Sequence, residues 1–237
     1  MLYLWPYIAF FSAPLLITTL LQPLKHLLPQ RLRQVYEQYV PSRPMLKLPS
    51  ALWLVLGLTA VHFNTIVHPY TLADNRHYVF YVFRILLRHP AIKYLAVPVY
   101  CACAWLTLQA LGSASNNVSD PTSKRDSRPT SDGPEGSPCR ISFILVWLAT
   151  TTLSLVSAPL VEPRYFIVPW ILWRFHVATG PASLSNTKKE ANGKAYDVRP
   201  SFETTWLFAV NAVVTYVFIR RPFEWASEPG KMQRFLW

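Results

Sequence analysis

Charge is what this chain has too little of. Asp, Glu, Lys and Arg make up 15% of its 237 residues while hydrophobic residues reach 51%. A soluble domain carries roughly 25% charged residues, so a water-exposed globule is excluded. Acidic residues are the scarcer sign, 12 against 23 Lys and Arg, for a formal net charge of +11. The basic residues sit between apolar runs, as membrane-flanking charges do, which excludes nucleic acid as a partner. Cysteine is scarce too. Cys101 and Cys103 fall inside an apolar run and Cys139 ends a polar one, with neither zinc-ligand nor redox spacing, so all three are read as packing residues. There is no metal-ligand motif, glycine-rich phosphate loop, nucleophile-elbow serine or internal repeat; hydrolase and nucleotide-dependent chemistries have no support.

What the chain does have is aromatic, membrane-length apolar sequence. Nine Trp, 13 Phe and 12 Tyr suit the belts that anchor helices at bilayer surfaces. A span needs about 20 mostly apolar residues. Residues 2–24, 48–67, 92–111, 141–160 and 202–219 qualify. The first lacks a basic leader and exceeds the roughly 7–15 residues of a signal-peptide core, so it reads as a span. Residues 165–179 are apolar but short, with Arg174 near the end; they either cross with Arg174 snorkelling or dip in and return. The expected fold class is an all-α polytopic membrane protein, one transmembrane domain over 1–237 with about six segments. Pro6, Pro14, Pro98, Pro159 and Pro169 lie within or beside the runs, where packed neighbours tolerate kinks and a cavity-forming bundle is the natural outcome. Residues 112–140 and 182–198 are polar and low in apolar content, the composition of disordered loops. Lys25, Arg31, Arg33, Arg43 and Lys47 mark the first loop as cytosolic, which puts 69–88 on the lumenal or exterior side.

Two polar clusters interrupt this pattern. Asp74, Asn75, Arg76 and His77 are consecutive where an apolar run ends, and polar groups at membrane depth are costly without a partner. From there His77, Tyr81, Arg84 and Arg88 recur at four, three and four, one face of an amphipathic interfacial helix. Asp74 or Asn75 would cap its first turn. The plain alternative makes Asp74 only a cap and Arg84 and Arg88 only surface residues. The second cluster is Glu162-Pro163-Arg164. Either it supplies a carboxylate and a guanidinium to the same pocket, suited to a phosphate and sugar hydroxyls, or Glu162 pairs with Arg164 or Arg76 and ties loops together. His62 and Asn64, inside a run, are expected to hydrogen-bond to neighbouring helices.

The stretch Pro69-Tyr70-Thr71-Leu72-Ala73-Asp74-Asn75-Arg76-His77-Tyr78, then Glu162-Pro163-Arg164-Tyr165-Phe166-Ile167, and Gln233-Arg234-Phe235-Leu236-Trp237 resemble one eukaryotic family. These are the dolichyl-phosphate-glucose-dependent α-1,2-glucosyltransferases of N-glycan precursor assembly. The resemblance covers the carboxy-terminal half of a family member and leaves out both polar loops. It implies a partial GT-C-type helix bundle in the endoplasmic-reticulum membrane with a lumenal active site. The implied donor is dolichyl phosphate glucose and the implied acceptor a dolichyl-diphosphate-linked oligosaccharide, with inversion at the transferred sugar and no nucleotide sugar, metal or other cofactor. By the same resemblance Arg76 and Arg164 steady the phosphate and Asp74 and His77 position the sugar or acceptor. Asn75, Tyr78, Glu162 and Tyr165 complete the expected substrate-binding set. The catalytic base is expected in an amino-terminal loop that this chain lacks, which would leave it inactive alone. Two other readings stay open: a non-catalytic membrane module that binds lipid or a partner, and a small transporter.

Overall fold

A computed structural model describes residues 2–21, 25–33, 51–65, 69–74, 76–112, 139–158, 162–177, 199–225 and 228–235. The expected loops at 112–140 and 182–198 lie outside this set except for Gly112, Cys139 and Arg140, as do Arg43, Lys47, Asn75 and Pro159.

Among the described residues the architecture is helical. The helices are α1 (Leu4–Phe11), α2 (Ala13–Leu21), α3 (Ala51–Asn64), α4 (Tyr78–Leu87), α5 (Pro90–Leu111), α6 (Ile141–Ser157), α7 (Arg164–His176) and α8 (Arg199–Arg220). Single 3-10 turns cover Lys25–Leu27 and Pro69–Leu72, and an antiparallel hairpin follows α8, β1 (Phe223–Trp225) against β2 (Glu228–Gln233).

Helix α5 is the central post, with α1, α2, α3 and α4 packed on it. Pro90 opens it, where a missing N–H costs nothing, and the His89 ring accepts from the Ala91 N–H at 3.2 Å. Leu4, Trp5 and Ile8 of α1 meet Ala104, Leu106, Ala110 and Leu111 of α5, with Trp147, Phe166 and Trp173 closing the core. On the other flank α3 comes very near: a Cβ on Gly57 would sit 2.7 Å from Val97 Cγ1. His62 Nδ1 lies 2.9 Å from the Tyr94 hydroxyl, the interhelical bond expected of it. Cys103 and Cys139 pack against the core, and Cys101 Sγ lies 3.6 Å from the Gly57 Cβ position.

The structure revises the span reading. Helices α5 and α8, 22 residues each, are long and apolar enough to cross a bilayer, about 33 Å at 1.5 Å per residue. Residues 2–24 are not one straight span: α1 and α2 meet at Ser12 with a bend of 89°. Pro14 explains the break, since its ring clashes with the carbonyl four residues back and it has no N–H to offer that carbonyl. Ser12 closes both sides of the pivot, its N–H donating to the Ile8 carbonyl at 3.0 Å and its own carbonyl accepting from Leu15 and Leu16. Helices α3, α6 and α7 have 14, 17 and 13 residues, about 20–26 Å, less than the ~30 Å hydrocarbon core. Arg174 does not snorkel. Its Nε donates to both carboxylate oxygens of the buried Glu203 at 3.0 and 2.8 Å, and Nη2 lies 2.7 Å from Oε2. A guanidinium with a carboxylate in reach is better satisfied there than by stretching toward water.

Candidate functional site

The turn from Pro69–Leu72 into α4 is organised by one carboxylate. Asp74 Oδ1 accepts from the Arg76 backbone N–H at 2.9 Å and from Arg76 Nε at 2.9 Å, while Oδ2 accepts from Nη2 at 2.6 Å. His77 Nε2 lies 3.7 Å from the same Oδ2. Three expected residues are thus brought together, but not as a helix cap. The residue flanking the start of α4 is His77, and its side chain makes no capping bond. An Asp side chain reaches the N–H two residues on at least as readily as a cap position, and here the Arg76 guanidinium makes that the better bargain. Asn75 lies outside the described residues. Hydrogen bonds from Arg76 hold the Asp74 carboxyl below the usual carboxylate range, and Asp74 in turn raises Arg76, helped by the charge of Glu228 on the hairpin.

Helix α4 carries the expected face in part. Tyr81, Arg84 and Arg88 line one cleft of about 630 Å³ with Leu72, Ile85 and Leu87, while His77 turns to Asp74 instead. The opposite side is buried through Phe83, whose ring meets Tyr3 at 5.3 Å, and Tyr3 in turn meets Tyr100 of α5 at 5.8 Å. The start of α4 is walled by Phe235, its ring 5.8 Å from both Tyr78 and Tyr81 and 4.7 Å from Phe223. The Arg234 guanidinium fixes this tail by donating to the Phe218 carbonyl at 3.0 Å. Sequence reasoning assigned no role to Glu228 or Phe235. The signals were the aromatic, charged composition of the segment after the last apolar run and, for Phe235, the resemblance carried by residues 233–237.

The second cluster forms one of its two possible pairs: Glu162 binds Arg164, not Arg76. The exposed Arg164 guanidinium also lies 5.5 Å from the Tyr165 ring centre. No hydrogen bond or ion pair among the described residues joins 162–165 to 74–77.

Three contacts fix how the two turns stand in the bundle. Trp173 Nε1 donates to the Thr107 carbonyl at 3.1 Å, Trp147 Nε1 to the Pro169 carbonyl at 3.0 Å, and Arg174 binds Glu203. They set the end of α7 and the start of α6 and α8 beside the carboxy-terminal part of α5. Phe166, near the start of α7, meets the Tyr7 ring at 5.3 Å, and Tyr3 meets Phe83 of α4 and Tyr100 of α5. The hairpin beyond α8 returns to Tyr78 and Tyr81.

This arrangement can hold a polar ligand at a membrane surface. Asp74 offers acceptor oxygens kept ionised, His77 an imidazole, Tyr78 and Tyr165 rings for a sugar face, and the arginines positive charge. A family model described as the DIE2/ALG10 family matches residues 1–175. The chain is 39% identical to a Dol-P-Glc:Glc(2)Man(9)GlcNAc(2)-PP-Dol alpha-1,2-glucosyltransferase of Emericella nidulans, with 100% of this chain and 49% of the relative covered. Proteins of the same name from Aspergillus fumigatus and Arabidopsis thaliana are 38% and 30% identical, covering 100% and 97% of this chain and 49% and 36% of the relatives. The chain spans about half the length, or less, of these curated relatives. No solved structure matches it.

Proposed function

The chain belongs to the DIE2/ALG10 family, and on that premise we propose that it forms the carboxy-terminal, membrane-embedded part of an α-1,2-glucosyltransferase. The enzyme transfers glucose from dolichyl phosphate glucose to the diglucosylated dolichyl-diphosphate oligosaccharide. It works in the endoplasmic-reticulum membrane with the Asp74 turn toward the lumen. The scaffold is a GT-C-type bundle, one domain of about six segments, in which α3, α6 and α7 cross together with their flanking apolar residues.

In this reaction the acceptor hydroxyl oxygen bonds to C1 of the glucose. The C1–O bond to phosphate breaks, its electron pair stays on the phosphate, and the hydroxyl proton passes to a base. Catalysis asks for cations near the phosphate, where charge grows, and acceptors that orient the sugar. The single observation that carries the reading is the Asp74–Arg76–His77 set, three side chains of complementary chemistry held together in a chain whose helices α5 and α8 are long and apolar enough to cross a membrane. Because Arg76 keeps Asp74 ionised below the usual carboxylate range, Asp74 is a weak proton acceptor and a good receiver of hydrogen bonds. Its role is to orient sugar hydroxyls, and the base is assigned elsewhere.

Arg76→Ala in a full-length relative, assayed with purified lipid donor and acceptor, tests this. Transfer is expected to fall at least about a hundredfold, the scale of one lost electrostatic contact to the transition state. Activity within a few-fold of the parent would remove Arg76 from the site. The relatives named above are glucosyltransferases, which favours neither a transporter nor a lipid- or partner-binding module.

A further inference from the structure

Arg76 is clasped by Asp74 through two guanidinium nitrogens, and Arg164 is paired with Glu162. A phosphate arriving at either would have to share a cation already matched to a carboxylate. Arg84 and Arg88 differ. Four residues apart, in the last turn of α4 and at its C-cap, and both exposed, they have no carboxylate partner among the described residues. Arg84 only lies over the Phe80 ring, 5.8 Å from its centre.

These two guanidiniums stand on the cleft of about 630 Å³ whose other walls are Leu72, Tyr81, Ile85 and Leu87, within the roughly 300–1,000 Å³ of small-molecule sites. Ile85 is 61% exposed, Leu87 42% and Leu72 41%, so the groove is apolar yet uncovered, as suits a surface that meets lipid chains. Arg88 lies two residues before Pro90, where a membrane-length helix begins, the depth at which lipid phosphates lie. Two cations over an apolar groove at that depth match an amphiphile with a doubly charged head and a hydrocarbon tail. The lipid phosphate left after glucosyl transfer is a monoester with close to two negative charges at neutral pH, against one on the glucose-bearing diester, and two guanidiniums can chelate it through several N–H donors.

We infer that the Arg84–Arg88 cleft holds the phosphate of an isoprenoid lipid, with the first isoprene units lying along Leu72, Ile85 and Leu87. The inference rests on the proposed glucosyl transfer for the identity of the lipid and adds Arg84 and Arg88 as cations that hold its phosphate.

The test is binding to the 237-residue chain in neutral-lipid nanodiscs, read by native mass spectrometry. The probes are a short polyprenyl monophosphate, the uncharged polyprenol of the same length, and phosphatidylserine. Polyprenyl monophosphate is expected to bind best. R84Q/R88Q should weaken it about tenfold or more, as loss of charged hydrogen bonds implies, with R84K/R88K in between. Circular dichroism verifies that each variant keeps its helices. Retention by R84Q/R88Q within about twofold overturns the proposal, as does equal binding of polyprenol or displacement by phosphatidylserine. The readout needs no transfer, so an inactive chain that binds the phosphate selectively upholds this site while leaving glucosyl transfer to be decided in the full-length relative.

Discussion

The indole N–H of Trp206 donates to the carbonyl of Phe10 at 2.8 Å, and Phe10 stands four residues before Pro14. This is the carbonyl that Pro14 cannot serve, so α8 supplies the donor that α2 withholds. A lone carbonyl in hydrocarbon is costly, and the bond joins the two extremes of the described chain. Trp206→Phe keeps the ring contact with Phe10, now 5.4 Å, and removes only the donor. It is expected to lower stability by about 1 kcal/mol, read as the unfolding midpoint in detergent. An unchanged midpoint would show that the bond contributes nothing.

Glu203 and Arg174 form the buried counterpart. The Trp170 indole donates to Ser12 Oγ at 2.9 Å, and the Ser12 hydroxyl lies 3.5 Å from Glu203 Oε1, so α1, α7 and α8 meet in one polar network. Glu203→Ala strands a guanidinium and is expected to cost about 3–5 kcal/mol, whereas the pair Glu203→Leu with Arg174→Met recovers most of it. Thermal unfolding followed by helical circular dichroism separates the two. A double variant no better than the single would mean that the charges are not coupled.

Gly57 permits a close approach of α3 to α5. Gly57→Ala puts a methyl at 2.7 Å from Val97 Cγ1, and a β-branched side chain on a helix has little room to rotate away. The expected loss is about 1–3 kcal/mol, relieved when Val97→Ala is added. Chemical-denaturant titration of the wild type, the two single variants and the double measures the coupling, and additive effects would argue against the clash.

The Asp74–Arg76 pair sets a pH dependence with a definite sign. Asp74 has its pKa lowered from 3.8 in the folded turn, so its contribution is complete above that value and is lost as pH falls through the lower, folded one. The turn should therefore keep its form from neutrality down to about pH 5. Arg76→Gln should bring the Asp74 titration back up toward 3.8, observable by carbon NMR of the labelled carboxylate. A titration that does not move would mean that Arg76 is not the cause.

The long local patterns were legible in the sequence. Runs at 92–111 and 202–219 became α5 and α8, and the His77–Arg88 spacing foretold a helix whose Tyr81, Arg84 and Arg88 do share a cleft. Asp74, Arg76 and His77 were rightly grouped, although Asp74 was expected to cap and instead binds Arg76. What could not be read were pairings set by packing. Pro14 announced a break, but nothing near it named Trp206 as the donor. Arg174 and Glu203 each sit at the edge of an apolar run, and only the meeting of the end of α7 with the start of α8 makes them partners. The hairpin stayed hidden for the same reason, since Phe235 gains meaning only against Tyr78.

That stacking of Phe235 on Tyr78 has a consequence for biosynthesis. The two rings cannot touch until everything between them has left the ribosome. A nascent chain halted before residue 235 would carry every polar side chain of the turn yet lack the aromatic surface beside it.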